Sequence, residues 1–173
     1  YGVLDESSQK CFIFELQLQG GTAMKVLNSR EVKKLKEDLV IQFGAFLTGD
    51  YAFFKNDKER IFIINKDIGK IDYHKANRIG LYFAENMNNY VRLSKEGAQL
   101  LVREAENVQN TVELSEDEVK AYFKGEDITK DVSGDNRQII LTYGAEVLGS
   151  ARLKDGTILN HLPKISRTNS III

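Results

Sequence analysis

Apolar residues recur at helical spacing through "NSREVKKLKEDLVIQFG", where Val32, Leu35, Leu39 and Phe43 make one stripe. Asn28 stands three residues before Glu31, the spacing of a capping box, and Gly44 supplies the stop. The interval then shortens to that of strands. "GDYAFFKNDKERIFIIN" holds two aromatic or β-branched runs around the polar turn Asn56-Asp57-Lys58 and predicts a hairpin. "RIGLYFAE" predicts a further strand, and "VRLSKEGAQLLVREAEN" passes from strand into a helix begun near Ser94. The polar segment "EAENVQNT" (104–111) interrupts the pattern and is expected to be a linker. Beyond it, "LSEDEVKAYFKG" has a capping box from Ser115 to Glu118, acids in its first turn, Lys124 in its last and Gly125 as terminator. "RQIILTYG", "EVLGSARL" and "TILNHLP" then read as short antiparallel strands, with turns at Gly144-Ala145 and Asp155-Gly156.

These patterns predict an α+β domain over 24–107, with helices flanking a small antiparallel sheet, and a small β-barrel domain over 108–173. Residues 1–23 stand apart. They read either as an extension foreign to the fold, with Met24 as the start, or as one more strand in which Phe12, Phe14, Leu16 and Leu18 alternate. The tail "SRTNSIII" ends apolar and reads as a last strand or a docked end.

Composition narrows the function. With 42% apolar and 28% charged residues the chain is of ordinary globular type, and its net charge of −1 means any surface for nucleic acid must be local. A single cysteine, Cys11, precludes an internal disulfide and suits a reducing cytoplasm. No apolar run reaches the roughly 18 residues of a membrane helix, so no membrane partner is expected. "GAEVLGSA" has the glycine spacing of a phosphate-binding loop, but Ser150-Ala151 stands where Lys-Ser/Thr is needed. It reads instead as a hairpin turn followed by a close-approach glycine. No G-x-G-x-x-G motif anchors a dinucleotide or S-adenosylmethionine fold. His74 and His161, the only two histidines, have no second histidine at ligand spacing, and Cys11 has no neighbouring proline or histidine. Neither catalysis nor a metal or other cofactor is expected.

The chain's only proline lies in "ILNHLPKISR" (158–167), where Asn160-His161 follows an apolar run and Lys164 and Arg167 come after Pro163. Proline fixes φ and removes a ladder donor, so it ends the strand and aims the residues beyond it. Asn160 can donate and accept, which suits it to lock a strand end or turn. After Arg137 the charge turns basic, with Arg152, Lys154, Lys164 and Arg167 against Glu146 and Asp155.

The order "YFKGE" (122–126), "EVLGSAR" (146–152) and "ILNHLPKISR" resembles the PUA domain, the small RNA-binding barrel named from pseudouridine synthases and archaeosine transglycosylases. More narrowly it resembles the C-terminal PUA-like domain of the Sun/Fmu family of RNA cytosine-5 methyltransferases, with Ser150-Ala151 and Ile165-Ser166 departing from the family's Trp-Gly and Gly-Leu pairs. The first half is similar in element order to the domain that precedes PUA in a small pre-ribosomal factor of archaea and eukaryotes. The resemblances imply a pre-PUA α+β domain followed by a mixed-sheet PUA-like barrel, of archaeal affinity. They imply a non-catalytic RNA-binding protein for structured rRNA or tRNA, in ribosome biogenesis or RNA modification. An RNA methyltransferase or pre-ribosomal proteins are the protein partners implied. On this reading Lys124, Gly125, Arg152, Lys154, Asn160, His161, Lys164 and Arg167 meet RNA, with His161 either stacking or holding structure. The alternative is an adaptor subunit for an RNA-modifying enzyme, without RNA affinity of its own.

Overall fold

The computed structural model describes residues 24–66 and 80–168; residues 1–23, with Cys11 and the alternating Phe12–Leu18 run, His74, and residues 169–173 of the tail lie outside them. The first sheet is an antiparallel meander in chain order: β1 (Met24–Val26), β2 (Tyr51–Asn56), β3 (Arg60–Asn65), β4 (Leu81–Asn86) and β5 (Val91–Leu93). Helix α1 (Ser29–Phe43) and helix α2 (Lys95–Glu104) pack on it. The α1 stripe buries Leu35, Leu39 and Phe43 against Phe53, Ile61, Ile63 and Phe83, while α2 adds Ala98 and Leu101. The Asn28–Glu31 capping box forms, and Gly44 closes α1 in the left-handed region at φ +69°.

The second sheet has the order β6-β8-β9-β10-β7, from β6 (Thr111–Glu113), β7 (Ile128–Thr129), β8 (Arg137–Tyr143), β9 (Glu146–Lys154) and β10 (Thr157–Leu159). Three of its pairings are antiparallel, but β6 runs parallel to β8, so the sheet is mixed. Helix α3 (Glu116–Lys124) buries Val119 and Tyr122 in a core with Ile128, Ile139, Leu141, Leu153 and Ile158. Gly144 and Asp155-Gly156 adopt positive φ in the two hairpin turns, as their spacing predicts. The register slips between Leu141 and Thr142, opposite a bulge that ends at Gly149. There φ is +149°, and a Cβ would stand 2.9 Å from the Tyr122 hydroxyl. The second glycine of "GAEVLGSA" is therefore a close-approach position, where helix α3 passes over the bulge.

The structure departs from the sequence pattern in three places. Strands β1, β6 and β7 are only two or three residues long, and the pattern does not predict them. The strand predicted through "TILNHLP" stops at Leu159. The segment 104–111 is no free linker. Gln109 N–H donates to Phe43 O (2.8 Å), Asn110 Nδ2 donates to Gln42 O (2.6 Å), and Ile140 N–H donates to Asn110 O (2.9 Å). The Gln109 backbone and the Asn110 side chain serve carbonyls at the end of α1, which lack helical partners.

The two sheets are joined closely. Helix α2 lies against β9, Gln99 Nε2 donates to Val147 O (3.0 Å), and Ser150 Oγ donates to Leu93 O (2.5 Å) in a buried position. Ile140 of β8 belongs to the core of the first sheet.

Candidate nucleic-acid interface

The C-terminus of α3 is the point on which the "ILNHLPKISR" segment converges. Gly125, at φ +88°, returns its N–H to Ala121 O and Tyr122 O. Only a residue without a Cβ enters that conformation cheaply. Asn160 completes the cap from the other end of the domain: its Nδ2 donates to Tyr122 O (2.7 Å) and to Glu126 O (3.0 Å). Its Oδ1 accepts from Leu162 N–H (2.8 Å), and its own N–H donates to Asp127 Oδ1 (2.7 Å), which is why β10 ends where it does. Thr168 N–H reaches Phe123 O at 2.9 Å. Last-turn carbonyls that would otherwise be left over thus find donors.

Asn160 is therefore a structural lock. Its amide is fully engaged with the backbone, and its part in any binding surface is to place its neighbours. Replacing Asn160 by Ala should cost about 2–4 kcal/mol, because Glu126 O and Leu162 N–H lose their side-chain partner together and Tyr122 O keeps only the Gly125 N–H. Asn160→Asp should be no milder, since a carboxylate would face two carbonyl oxygens. Thermal unfolding checks this; a variant as stable as the parent would contradict it.

Arg167 also has a structural task. Its Nε donates to Leu162 O (3.1 Å), and the side chain lies over Gly125, where an added Cβ would meet Nε at 2.5 Å. Lys124, one residue before Gly125, is exposed at the last turn of α3, where the helix dipole favours a cation. Lys164 opens a short 3₁₀ turn (Lys164–Ser166) after Pro163 and is exposed, as is Ile165 beside it at 96%. Neither the Lys124 nor the Lys164 side chain forms a hydrogen bond or ion pair among the described residues, in contrast to Lys120 and Lys130, which are paired with Glu116 and Glu118. Arg137 is likewise committed, to Asn110, Asp135 O and Ser133 O.

The remaining expected residues lie along β9 and just past β10. Arg152 and Lys154 follow Ser150 on alternate positions of one strand, and therefore on one face. Arg152 lies over the Tyr90 ring, 4.9 Å from its centroid, so it faces the first sheet; exposed Lys154 ends the strand at the Asp155-Gly156 turn. His161 is half-buried. Burial holds its pKa below the ordinary histidine value, and Arg92 and Arg152 reinforce the effect against Asp127. The structure thus gathers Lys124, Gly125, Asn160, Lys164 and Arg167 about one helix end, and Arg152 with His161 beside the first sheet. Arg92 and Tyr90, which adjoin the second group, carry no signal in the sequence, because their meeting with β9 depends on how the two sheets dock.

Among the described residues no three His, Cys, Asp or Glu side chains are grouped to hold a metal ion, and no helix is long and apolar enough to cross a membrane.

The family model described as the methyltransferase RsmF PUA domain matches residues 109–168. Ribosomal RNA small subunit methyltransferase F of Shewanella sp. strain ANA-3 is 25% identical over 158 residues, covering 87% of this chain and 32% of that protein. The protein of the same name from Shewanella oneidensis MR-1 is 24% identical over 153 residues (87% and 31%), and that of Shewanella piezotolerans WP3 is 24% identical over 139 residues (79% and 28%). The chain thus spans about a third of the length of the curated relatives it matches. An alignment over 87% of the chain extends beyond residues 109–168 into the first sheet. These relatives are bacterial, so the archaeal affinity expected from the first half finds no support among them. Residues 109–168 form a PUA-like domain resembling the C-terminal domain of the Sun/Fmu methyltransferases, and the domain family they match is the PUA domain of methyltransferase RsmF.

Proposed function

We propose that this chain is a non-catalytic RNA-binding protein that holds structured ribosomal or transfer RNA, in ribosome biogenesis or RNA modification. The observation that carries the reading is the pair of exposed, uncommitted cations, Lys124 and Lys164, at the capped end of α3 in a PUA-like domain. Cations of this kind meet phosphate oxygens, and structured RNA is recognised chiefly through its shape and backbone. In this reading residues 24–107 form a pre-PUA domain and 108–173 the PUA-like domain, and the protein works in the cytoplasm beside an RNA methyltransferase or pre-ribosomal proteins. Its relatives' names refer to methylation of small-subunit ribosomal RNA, which makes that RNA the first ligand to try.

A second reading, an adaptor subunit without RNA affinity, draws on Ile165, an apolar side chain 96% exposed beside Lys164. A protein partner would bury it. The experiment that separates the two is crosslinking in cells followed by sequencing of bound RNA, together with binding of the purified chain to small-subunit rRNA fragments as salt is raised. An RNA-binding protein gives enriched rRNA or tRNA reads and a steep fall of log affinity with log salt. Recovery of protein partners alone, with no salt-dependent RNA binding, would establish the adaptor.

A further inference from the structure

We propose that Arg92, Arg152 and His161 form a phosphate-binding subsite where the edge of the first sheet meets the second, so that bound RNA is held by both halves of the chain. The inference rests on the RNA-binding reading for the source of the phosphate, but the site itself stands on its own geometry.

Strand β5 is the last strand of the first sheet, and its residues alternate between core and surface. Val91 and Leu93 are buried, while Arg92 is partly exposed. The buried bond from Ser150 Oγ to Leu93 O fixes β5 against β9 within two residues of Arg152. The Arg152 guanidinium lies on the Tyr90 ring at 4.9 Å and has no hydrogen-bond acceptor among the described residues. A guanidinium stacked in this way is held in place, while its five N–H donors remain available at the edge. Arg92 contacts Glu85 through one terminal nitrogen, which leaves its other donors unused.

His161 comes from a third element, the segment after β10. Among the described residues its Nδ1 is buried without a partner, a condition that native structures rarely leave unexplained. The charged groups acting on the ring are Arg92 and Arg152 on one side and Asp127 on the other, and one Asp127 oxygen already accepts from Asn160 N–H. Burial first, and then two guanidiniums against one committed carboxylate, disfavour the charged form of the free imidazole. An anion among them would offset both guanidiniums and favour the protonated ring, which can then donate to it. The class of ligand is a phosphate oxyanion, which matches the fork of an arginine. In an RNA-binding protein its source is the phosphodiester backbone.

This fixes the sign of the linkage. In the free protein His161 resists protonation until the pH falls below the ordinary histidine value, whereas in the complex it accepts a proton more readily. RNA binding therefore takes up a proton, and affinity rises as pH falls through the His161 titration.

The test follows the His161 Cε1–H resonance by NMR against pH in the whole chain, its signal distinguished from that of His74 by His161→Gln. The probes are inorganic phosphate at constant ionic strength and a small-subunit rRNA hairpin. The proposal expects the hairpin to raise the His161 pKa by roughly 0.5–1 unit, equivalent to about a three- to tenfold gain in affinity at low pH. It expects Arg152→Gln and Arg92→Gln each to abolish most of that rise, and His161→Gln to remove the pH dependence of RNA affinity. Because Arg92→Gln also frees Glu85, Arg92→Lys is the companion variant and should retain part of the rise. An unchanged pKa with both probes overturns the subsite, whereas a rise with the hairpin alone supports it with RNA as the source of the anion. A rise with phosphate in a protein that also binds RNA, but none with RNA, overturns its assignment to RNA. A chain that binds no RNA at all while phosphate still raises the His161 pKa keeps the anion site and rejects the RNA-binding reading, so the two failures are distinguishable.

Discussion

Gly97→Ala should destabilise the protein by about 3–5 kcal/mol, at the upper end of what overpacking costs. Helix propensity alone gives the opposite sign, since alanine inside a helix is favoured over glycine by roughly 0.5–1 kcal/mol. The close approach decides the outcome. Gly97 is buried in the first turn of α2, and a Cβ there would stand 1.9 Å from Phe83 O, a backbone atom with no freedom to swing away. That carbonyl already accepts from Ser94 N–H at 2.9 Å, so the helix start is bonded to β4 at the point of contact. Relief requires α2 to lift from the sheet by more than about 1 Å, which interiors packed at crystal density do not permit cheaply. The same helix carries Ala98 and Leu101 in the core and Gln99 on Val147 O of β9, so lifting it also loosens the junction of the two sheets. Gly144→Ala is the comparison. Its φ of +56° is one that the helical Gly97 does not share, but among the described residues nothing lies within 4 Å of the added Cβ, and its cost should be only about 1–2 kcal/mol. Denaturant unfolding measures both. Equal stabilities for the two variants would refute the close-approach argument.

Neutralising Lys124 and Lys164 together, as Lys124→Gln with Lys164→Gln, should weaken binding to structured RNA by roughly ten- to a hundredfold at physiological salt. Each phosphate that is no longer neutralised should also flatten the slope of log affinity against log salt by about 0.7–0.9. Lys164 and Arg167 stand out in the sequence as the spaced cations after Pro163, but the structure favours Lys124 over Arg167 as the second position to change. Arg167 anchors Leu162 O and covers Gly125, so replacing it mixes a folding defect with a binding defect. Lys124 and Lys164 make no such bond among the described residues, and exposed charges of this kind usually move stability by about half a kcal/mol or less. Arg30→Gln with Lys33→Gln on α1 removes the same charge elsewhere. If that pair weakened binding as much, the effect would be general attraction and no site would be involved.

The elements that could be read from the sequence are those whose determinants are local. Both capping boxes, Asn28–Glu31 and Ser115–Glu118, join residues three apart, each terminating glycine, Gly44 and Gly125, bonds back within its own last turn, and all of them form. The Gly144 and Asp155-Gly156 turns are local in the same sense. Strands β1, β6 and β7 escape detection because two or three residues show no alternation, and they exist only through their partners; β6 pairs with β8, about thirty residues along the chain. The segment 104–111 misleads for a related reason. Its polar residues suggest solvent, while Gln109 and Asn110 satisfy carbonyls of α1 more than sixty residues earlier.

The candidate site divides along the same line. Lys124 and Lys164 are visible as cations at a helix end and after a proline. The work of Asn160 is not, since the Tyr122 carbonyl it caps is 38 positions away. Arg92 and Tyr90 join the site only because α2 and β5 dock on β9.

On the proposed function, RNA lies across the capped end of α3 and the junction beside it. Amide NMR shift mapping with a small-subunit rRNA hairpin tests it most directly. Perturbations are expected at Lys124–Glu126, Arg92, Arg152 and His161–Arg167, with Arg30–Phe43 of α1 left unchanged. Perturbations concentrated on α1 with those residues silent, or none anywhere at saturating RNA, would contradict it.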